Sequence, residues 1–95
     1  MNTLLKVTGV RFVPAPARQL RAGLLGWATF VMAGQVRVDG VAIRRTLDGR
    51  RALSFPERTD SSGRRHPVIR PLDDYTRREI ETQVFAALGF AEAVR

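Results

Sequence analysis

The 95-residue chain has no cysteine and only one histidine. Without cysteine, neither a disulfide framework nor a zinc–thiolate site can form, which excludes the small disulfide-rich secreted scaffolds. His66 stands alone between Arg65 and Pro67. Because a metal site needs three or four converging ligands, we expect no metal site. These absences fit a reducing, cytoplasmic environment best.

Catalytic motifs are missing as well. No serine lies in a G-x-S-x-G turn, and Lys6, the one lysine, is not part of a phosphate-binding GK[ST] loop. Helix capping accounts for Asp73 and Asp74, the one pair of adjacent carboxylates. We therefore expect that the protein is not an enzyme and has no cofactor and no small-molecule substrate.

The sequence also lacks long hydrophobic runs. Its longest apolar stretch, residues 22–33, is far shorter than the ~20 residues that cross a bilayer, and it contains two glycines and a threonine. The opening MNTLLKVTGV has neither the continuous apolar segment nor the small-residue cleavage site of a signal peptide. We expect no membrane span, and we interpret residues 22–33 as buried sheet.

Positive charge is what the sequence has in excess. Sixteen basic residues face nine acidic ones, which gives a formal net charge of +7 and a pI near 11.6. Residues 1–36 carry four bases and no acid, and residues 37–72 carry nine arginines and four acids. The last part, residues 73–95, has three arginines and five acids. This balance favours an anionic partner and says nothing about the fold.

Alternating β-branched and aromatic residues predict up to five strands. We expect them at 4–13, 20–32, 35–44 and 51–55, with a last edge strand at 64–69 because Pro67 excludes a central position. Asp39-Gly40 shifts the alternation and predicts a bulge. Asp48-Gly49 is a hairpin signal that pairs residues 51–55 back on 41–45.

From Asp74 onward the period of the apolar residues is helical. Asp73 or Asp74 can cap the N-terminus, and Gly89 can end the helix. The apolar stripe consists of Ile80, Val84, Ala87, Leu88 and Ala91. We therefore predict one α+β domain over residues 1–95, a small twisted antiparallel sheet of four to five strands at about 4–72 with a C-terminal helix at about 74–89.

Arg77 interrupts the apolar stripe of this helix and permits two interpretations. In the one that we prefer, its stem packs on the stripe while its guanidinium reaches Glu81 or solvent. In the other, the guanidinium faces an anion at the rim between helix and sheet.

Aromatic residues give little support to base stacking. They mostly fall on hydrophobic runs, which favours core packing and is unlike the stacking surface of an RRM or OB domain: Phe12, Trp27, Phe30, Phe55, Phe85 and Phe90. The arginine pairs are the stronger nucleic-acid signal, because guanidinium groups neutralise the phosphates that dominate non-specific affinity.

Residues 56–70, PERTDSSGRRHPVIR, concentrate four arginines against two acids. We predict a basic loop between the last hairpin and the edge strand, bounded by prolines, that presents its arginines to phosphates. The alternative is a solvated loop in which the arginines meet only water, Glu57 or Asp60.

The second half of the chain carries a longer pattern, made of VDGVAIRR, DG-x-RALSFPER, a polar loop with Gly63, HPVIRPL and DDYTRREIETQV. It resembles the SpoVG (stage V sporulation protein G, septation regulator) family. There a strand ends in a basic stretch close to FIAMPSRKT, and a loop with glycine leads to an HPI element and a helix that opens with a TR pair. The spacing agrees without a gap from Pro56 to Ile80, and the opening VTGVRFV resembles the family's V-T-D-V-R start.

The resemblance implies a homodimer formed by strand pairing and a DNA-binding, in some cases RNA-binding, regulator of septation or sporulation. The family's basic stretch falls on Pro56 to Thr59 and its helix start on Thr76, Arg77 and Ile80. Glu57 and Thr59 replace the serine and the second base of that stretch. Charge and resemblance together name ten candidate contacts: Arg44, Arg45, Arg50, Arg51, Arg58, Thr59, Arg64, Arg65, Arg70 and Arg77.

A second hypothesis explains the same charge. The chain would then be a protein-interaction module of the division machinery whose basic face meets an acidic protein. Binding to nucleic acid would separate the two hypotheses.

Overall fold

A computed structural model describes residues 5–90. The elements in chain order are β1 (Val7–Pro14), α1 (Ala17–Arg21), β2 (Leu24–Met32), β3 (Val36–Arg45), β4 (Arg51–Ser54), β5 (Glu57–Thr59), β6 (Arg65–Pro67) and α2 (Asp74–Leu88). Strands β1 to β4 form one antiparallel sheet in sequence order, and β5 pairs with β6 in a second, two-stranded sheet. The α+β class and the C-terminal helix are confirmed.

Both predicted irregularities of β3 and β4 occur. Between the pairs Phe30↔Val38 and Ala28↔Val41, two residues of β3 lie opposite one residue of β2, which is the expected bulge at Asp39-Gly40. The β3–β4 hairpin turns through Asp48-Gly49 and pairs residues 42–45 with 51–54. The alternation on each side of the bulge therefore keeps the apolar residues of β3 on one face.

Helix α2 begins and ends where the capping residues predict. The Asp73 side chain accepts a hydrogen bond from the Thr76 amide at 2.8 Å, and Gly89 has the left-handed conformation (φ 73°) that ends the helix. Ile80 and Val84 of the stripe are buried, but Ala87 is exposed, so its assignment to the stripe was wrong. Ala91 lies outside the described residues.

The core lies between α2 and one face of the four-stranded sheet, which we call the inner face. Its fully buried side chains include Phe30, Val41, Ile43 and Val84. Successive strand residues point to opposite faces, so the neighbours of these residues lie on the outer face, which α2 does not cover. Trp27 lies between Gly26 and Ala28, both buried on the inner side, and therefore belongs to the outer face.

The predicted start of the second strand was wrong. Leu20 belongs to the short helix α1, and β2 begins at Leu24. Pro16 occupies the N-cap of α1, where its missing N–H costs nothing, and Gly23 has the positive φ (96°) that turns the chain into β2. Apolar content cannot distinguish one helical turn from a strand here. Strand β1 lies within the predicted range except for Pro14, and Leu4 is outside the described residues.

The last strand does not extend the large sheet as an edge strand. Residues 65–67 pair with 57–59, so the segment predicted as a loop contains a second hairpin. The outward-facing amide of Leu53 in β4 donates to Glu81 Oε2 at 3.0 Å, so this edge group of the sheet already has a partner. Pro56 then interrupts the ladder directly after β4, because proline has no N–H to donate.

The opposite edge of the sheet is also held by α2. Gln83 accepts a hydrogen bond from the Val7 amide and donates one to the Leu5 carbonyl, both at 2.9 Å. The side-chain amide thus pairs with the edge as a neighbouring strand would. Polar side chains of one helix therefore occupy backbone groups on both edge strands, which limits unwanted strand pairing.

None of the helices within residues 5–90 has the length and the apolar surface that crossing a bilayer requires.

Candidate nucleic-acid interface

Residues 57–67, which comprise β5, its turn and β6, form a projecting hairpin that we call the arm. Its strands pair with each other and make at most marginal contact with the other strands and helices. The Cα radius of gyration is 13.8 Å, above the ~12 Å expected for a compact chain of this length. The arm therefore has no core of its own, and local polar contacts must hold its turn.

Asp60 supplies these contacts. Its Oδ1 accepts hydrogen bonds from the Ser62 amide at 2.9 Å, the Ser62 hydroxyl at 2.7 Å and the Arg64 amide at 3.0 Å. Its Oδ2 lies 2.7 Å from His66 Nε2. These bonds, the one to His66 most of all, lower the pKa of Asp60 to about 2, because they favour the carboxylate.

Both acidic side chains of the arm bind partners within the arm. Glu57 lies 3.7 Å from the Arg65 guanidinium, and Asp60 holds the turn. Arg58 and Arg64 have no ion-pair partner within residues 5–90. The register puts Arg58 opposite His66, and Thr59 opposite Arg65, so these two pairs occupy opposite faces of the arm. The arm thus carries its unpaired arginines, Arg58 and Arg64, on the His66 face, whereas Arg65 on the other face is paired with Glu57.

A cleft of about 320 Å³ separates the base of the arm from the start of α2. Phe55, Pro67 and Ile69 contribute its apolar wall, and Arg70 lies in its lining without an ion-pair partner among residues 5–90. Asp74 lines the cleft near the helix start. Arg70 is therefore the arginine at the base of the arm, and Glu57, Asp73 and Asp74 line the same cleft.

Four other candidates lie at the opposite end of β4, beside the β3–β4 hairpin. Arg50 pairs with Asp48 at 3.5 Å, and the Arg51 guanidinium lies 4.6 Å from the centre of the Phe90 ring. Arg45 is the cross-strand neighbour of Arg51, whereas Arg44 points to the other face. Adjacent arginines on a strand therefore do not act as a pair, although the sequence suggested that they would.

Arg77 lies in a network of ion pairs on α2. Its guanidinium is 2.5 Å from Asp74 and 3.1 Å from Glu81, and Arg78 also contacts Asp74 at 2.9 Å. The hydrogen bond to Asp74 is the largest cause of the raised pKa of Arg77. The preferred interpretation, in which the guanidinium reaches Glu81, is confirmed. The carboxylates that surround Arg77 make it the least suitable of the ten candidates for a phosphate contact.

The candidates therefore occupy three places: the arm with its base, the β3–β4 hairpin end and the helix. The first group contains Arg58, Thr59, Arg64, Arg65 and Arg70, the second Arg44, Arg45, Arg50 and Arg51, and the third Arg77. Strand β4 separates the first group from the second. The structure does not bring all of them together on one surface.

Sequence reasoning missed a further basic surface on the outer face of the sheet. Arg11 of β1 and Arg37 of β3 lie there on either side of β2, and α1 presents the exposed Arg18 and Arg21 at the end of the sheet. Three of these four arginines lie in the first 36 residues, a segment with four bases and no acid. This signal was weak because these bases are far apart in sequence and meet only through strand pairing.

Compared with known proteins, the chain matches no described family, no curated protein and no solved structure. Within residues 5–90 no three histidine, aspartate or glutamate side chains are placed to hold a metal ion together. The resemblance to the SpoVG family therefore stays a prediction.

Proposed function

We propose that the protein binds nucleic acid through the arm and its base. The observation that supports this proposal most directly is the internal use of the arm's two acids, which leaves Arg58, Arg64 and Arg70 without carboxylate partners in residues 5–90. Guanidinium groups placed in this way bind phosphates and release condensed counterions. A projecting two-stranded ribbon also has the shape that the major groove of a duplex accepts.

The regulatory role rests on the resemblance. Residues 56–80 follow the SpoVG pattern without a gap, and the arm coincides with the family's basic stretch and loop. We therefore propose a SpoVG-type regulator of septation or sporulation. The nucleic acid is DNA, RNA or both.

The same resemblance supports a homodimer. Strand β4 pairs only with residues 42–45, so the first half of β3 has a sheet edge without a neighbour among residues 5–90. We propose that a second copy pairs at this edge. Sedimentation equilibrium should give twice the chain mass of 10.6 kDa, and a monomer at micromolar concentration would exclude the dimer.

The arm is tested by charge reversal. Fluorescence anisotropy with labelled duplex DNA, single-stranded DNA and RNA is measured across a salt series for the wild type and for Arg58→Glu with Arg64→Glu. Each lost phosphate contact should lower the salt slope on duplex by about 0.9. We expect duplex affinity to fall by at least tenfold and the slope to decrease by about two contacts.

Arg18→Glu with Arg21→Glu is the matched control for duplex binding, because it reverses the same charge on exposed residues of α1, away from the arm. An equal loss in both double variants would show that only net charge matters and would remove the arm from the interface. If the wild type binds none of the three ligands at low salt, the interaction with an acidic protein becomes the better hypothesis.

A further inference from the structure

The only tryptophan of the chain lies on the side of the sheet that α2 leaves uncovered. Trp27 is partly exposed and lies directly between Val13 of β1 and Ala42 of β3. It does not belong to the hydrophobic cluster that α2 covers. Val13 is 61% exposed, so solvent reaches the outer face beside Trp27, whose own side chain is partly buried. The indole therefore keeps part of its surface open to solvent on the face of the sheet opposite the α2 core.

Arginines flank Trp27 on both diagonals. On the β1 side, Arg11 is the partner of Thr29, which lies two residues after Trp27 on β2. On the β3 side, Ala42 is the partner of Trp27, and Arg44 lies two residues after Ala42. Diagonal neighbours in a sheet are ~7–8 Å apart, within the reach of a long side chain. Neither arginine has an ion-pair partner among residues 5–90. Asp39, at the bulge of β3, is the one acid in the strand segments of this sheet.

We propose that the outer face binds single-stranded nucleic acid, with one base stacked on Trp27 and the adjoining phosphates on Arg11 and Arg44. Aromatic side chains on a sheet bind unpaired bases in this way, and basic groups beside them hold the backbone. The proposal rests on the proposed nucleic-acid function for the kind of ligand. It uses a surface separate from the arm, since the arm lies beyond the end of β4.

A duplex does not fit this site, because its bases are stacked on each other and cannot reach an indole on a flat sheet. A second copy of the chain fits poorly. In a symmetric dimer the same patch would face itself, and the three arginines Arg11, Arg37 and Arg44 of each copy would meet with one Asp39 each to offset them. Charge complementarity therefore favours a polyanion.

The test uses Trp27 as its own reporter, since no other tryptophan contributes to the emission. The full chain is titrated with oligothymidylate of about ten nucleotides, within the site sizes known for single-strand binding surfaces. Tryptophan fluorescence reports stacking, and the anisotropy of a labelled oligonucleotide reports total binding. We expect oligothymidylate to quench the emission and a duplex of equal length to leave it nearly unchanged.

Substitutions separate stacking from folding. Trp27→Leu should weaken oligothymidylate binding by about fivefold to a hundredfold, whereas Trp27→Phe, which keeps an aromatic face, should retain most of it. Arg11→Glu with Arg44→Glu should reduce both the quenching and the salt slope, by about 0.7 per phosphate on single strands. Circular dichroism confirms that each variant is folded, and equal affinity of the Phe and Leu variants would overturn the proposal.

The arm variant distinguishes this proposal from the function proposed above. If Arg58→Glu with Arg64→Glu loses duplex binding but keeps the oligothymidylate quenching, the two sites are separate and the proposal is supported. If oligothymidylate binds by anisotropy without quenching Trp27, the arm binds it, and the outer face is not a binding site. A dimer whose formation shields Trp27 from acrylamide would also overturn the proposal, because a second copy would then cover this face.

Discussion

The outer face of the sheet and the arm are both basic, but they are built in different ways. On the outer face, Trp27 and its arginines are held by strands that pair along much of their length and share a core on the other side. The arm has three residues in each strand and no buried side chain. Its turn is held by one carboxylate, Asp60. The first surface is positioned by packing, and the second by local hydrogen bonds.

This difference determines what each surface can bind. Side chains on a packed sheet keep fixed spacings, which suits a base and two phosphates at defined positions. A projecting hairpin with few contacts can adjust to the shape of a groove, and its arginines neutralise phosphates without fixed geometry. A substitution that disrupts the core should therefore abolish the outer-face surface, whereas a substitution of Asp60 should affect the arm alone.

The largest expected effect comes from the core beneath the outer face. Phe30 is completely buried, and Phe30→Ala should lower the free energy of unfolding by about 3–5 kcal/mol, since it removes packing and leaves a cavity. Urea denaturation followed by circular dichroism measures the change. Val68→Ala, at a residue 64% exposed beside the arm, should stay within about 0.5 kcal/mol. A comparable loss at Val68 would show that the segment after the arm is part of the core after all.

The edge of the sheet gives the second largest effect. Gln83→Leu leaves the Val7 amide and the Leu5 carbonyl without their partner, and it should cost about 1–3 kcal/mol of unfolding free energy. Thr82→Ala on the exposed side of the same helix is the control, with an expected change within about 0.5 kcal/mol. If the two variants unfold alike in urea, the Gln83 amide does not support the edge of β1.

The β2–β3 turn should permit a small stabilisation. Ala33 and Gly34 both have positive φ, 56° and 68°, as a type I′ turn requires, but alanine is strained there. Ala33→Asn, which tolerates this conformation, should raise the free energy of unfolding by about 0.5–1 kcal/mol. Gly34→Ala should do the reverse. Thermal denaturation of both variants checks the sign, and a destabilised Ala33→Asn protein would contradict the turn assignment.

The smallest effect on overall stability, but the most local one, concerns the arm. The pKa of Asp60 is lowered from 3.8 to about 2, so its hydrogen bonds persist above pH 4 and are lost as the pH falls through about 2. In NMR spectra, the amides of Ser62 and Arg64 should lose their native shifts in this range before those of the sheet change. Asp60→Asn should show the same local loss at neutral pH with the global unfolding midpoint unchanged. If the amides of the arm and of the sheet lose their native shifts at the same pH, the arm does not unfold independently of the sheet.

Local signals predicted much of the fold. Asp73 and Gly89 bound α2, Asp39-Gly40 makes the bulge, and Asp48-Gly49 makes the hairpin, because each depends on conformations that neighbouring residues decide. Helix α1 and the arm were missed. A single helical turn leaves no period to detect, and three-residue strands are too short for alternation to identify them.

The candidate site was predicted less well than the fold. The arginines of residues 56–70 were named correctly as a basic segment. The sequence did not show that Glu57 and Asp60 bind partners within the arm, because these contacts form across its two strands. Arg44 and Arg45 were treated as a pair, although a strand sends them to opposite faces. Core packing was predicted for the aromatic residues as a group, and Trp27 is partly buried but lies outside the cluster that α2 covers.

The sequence by itself determined the α+β class, the ends of the long helix, the turn positions and the excess of positive charge, since these follow from composition and from interactions a few residues apart. Tertiary structure alone decided which face each side chain occupies. Pairing register places Arg11 and Arg44 on either side of Trp27, and α2 covers the opposite face of the sheet. Residues so distant in sequence meet only when strands pair, and the side that the helix covers follows from where the chain can bury its largest apolar surface.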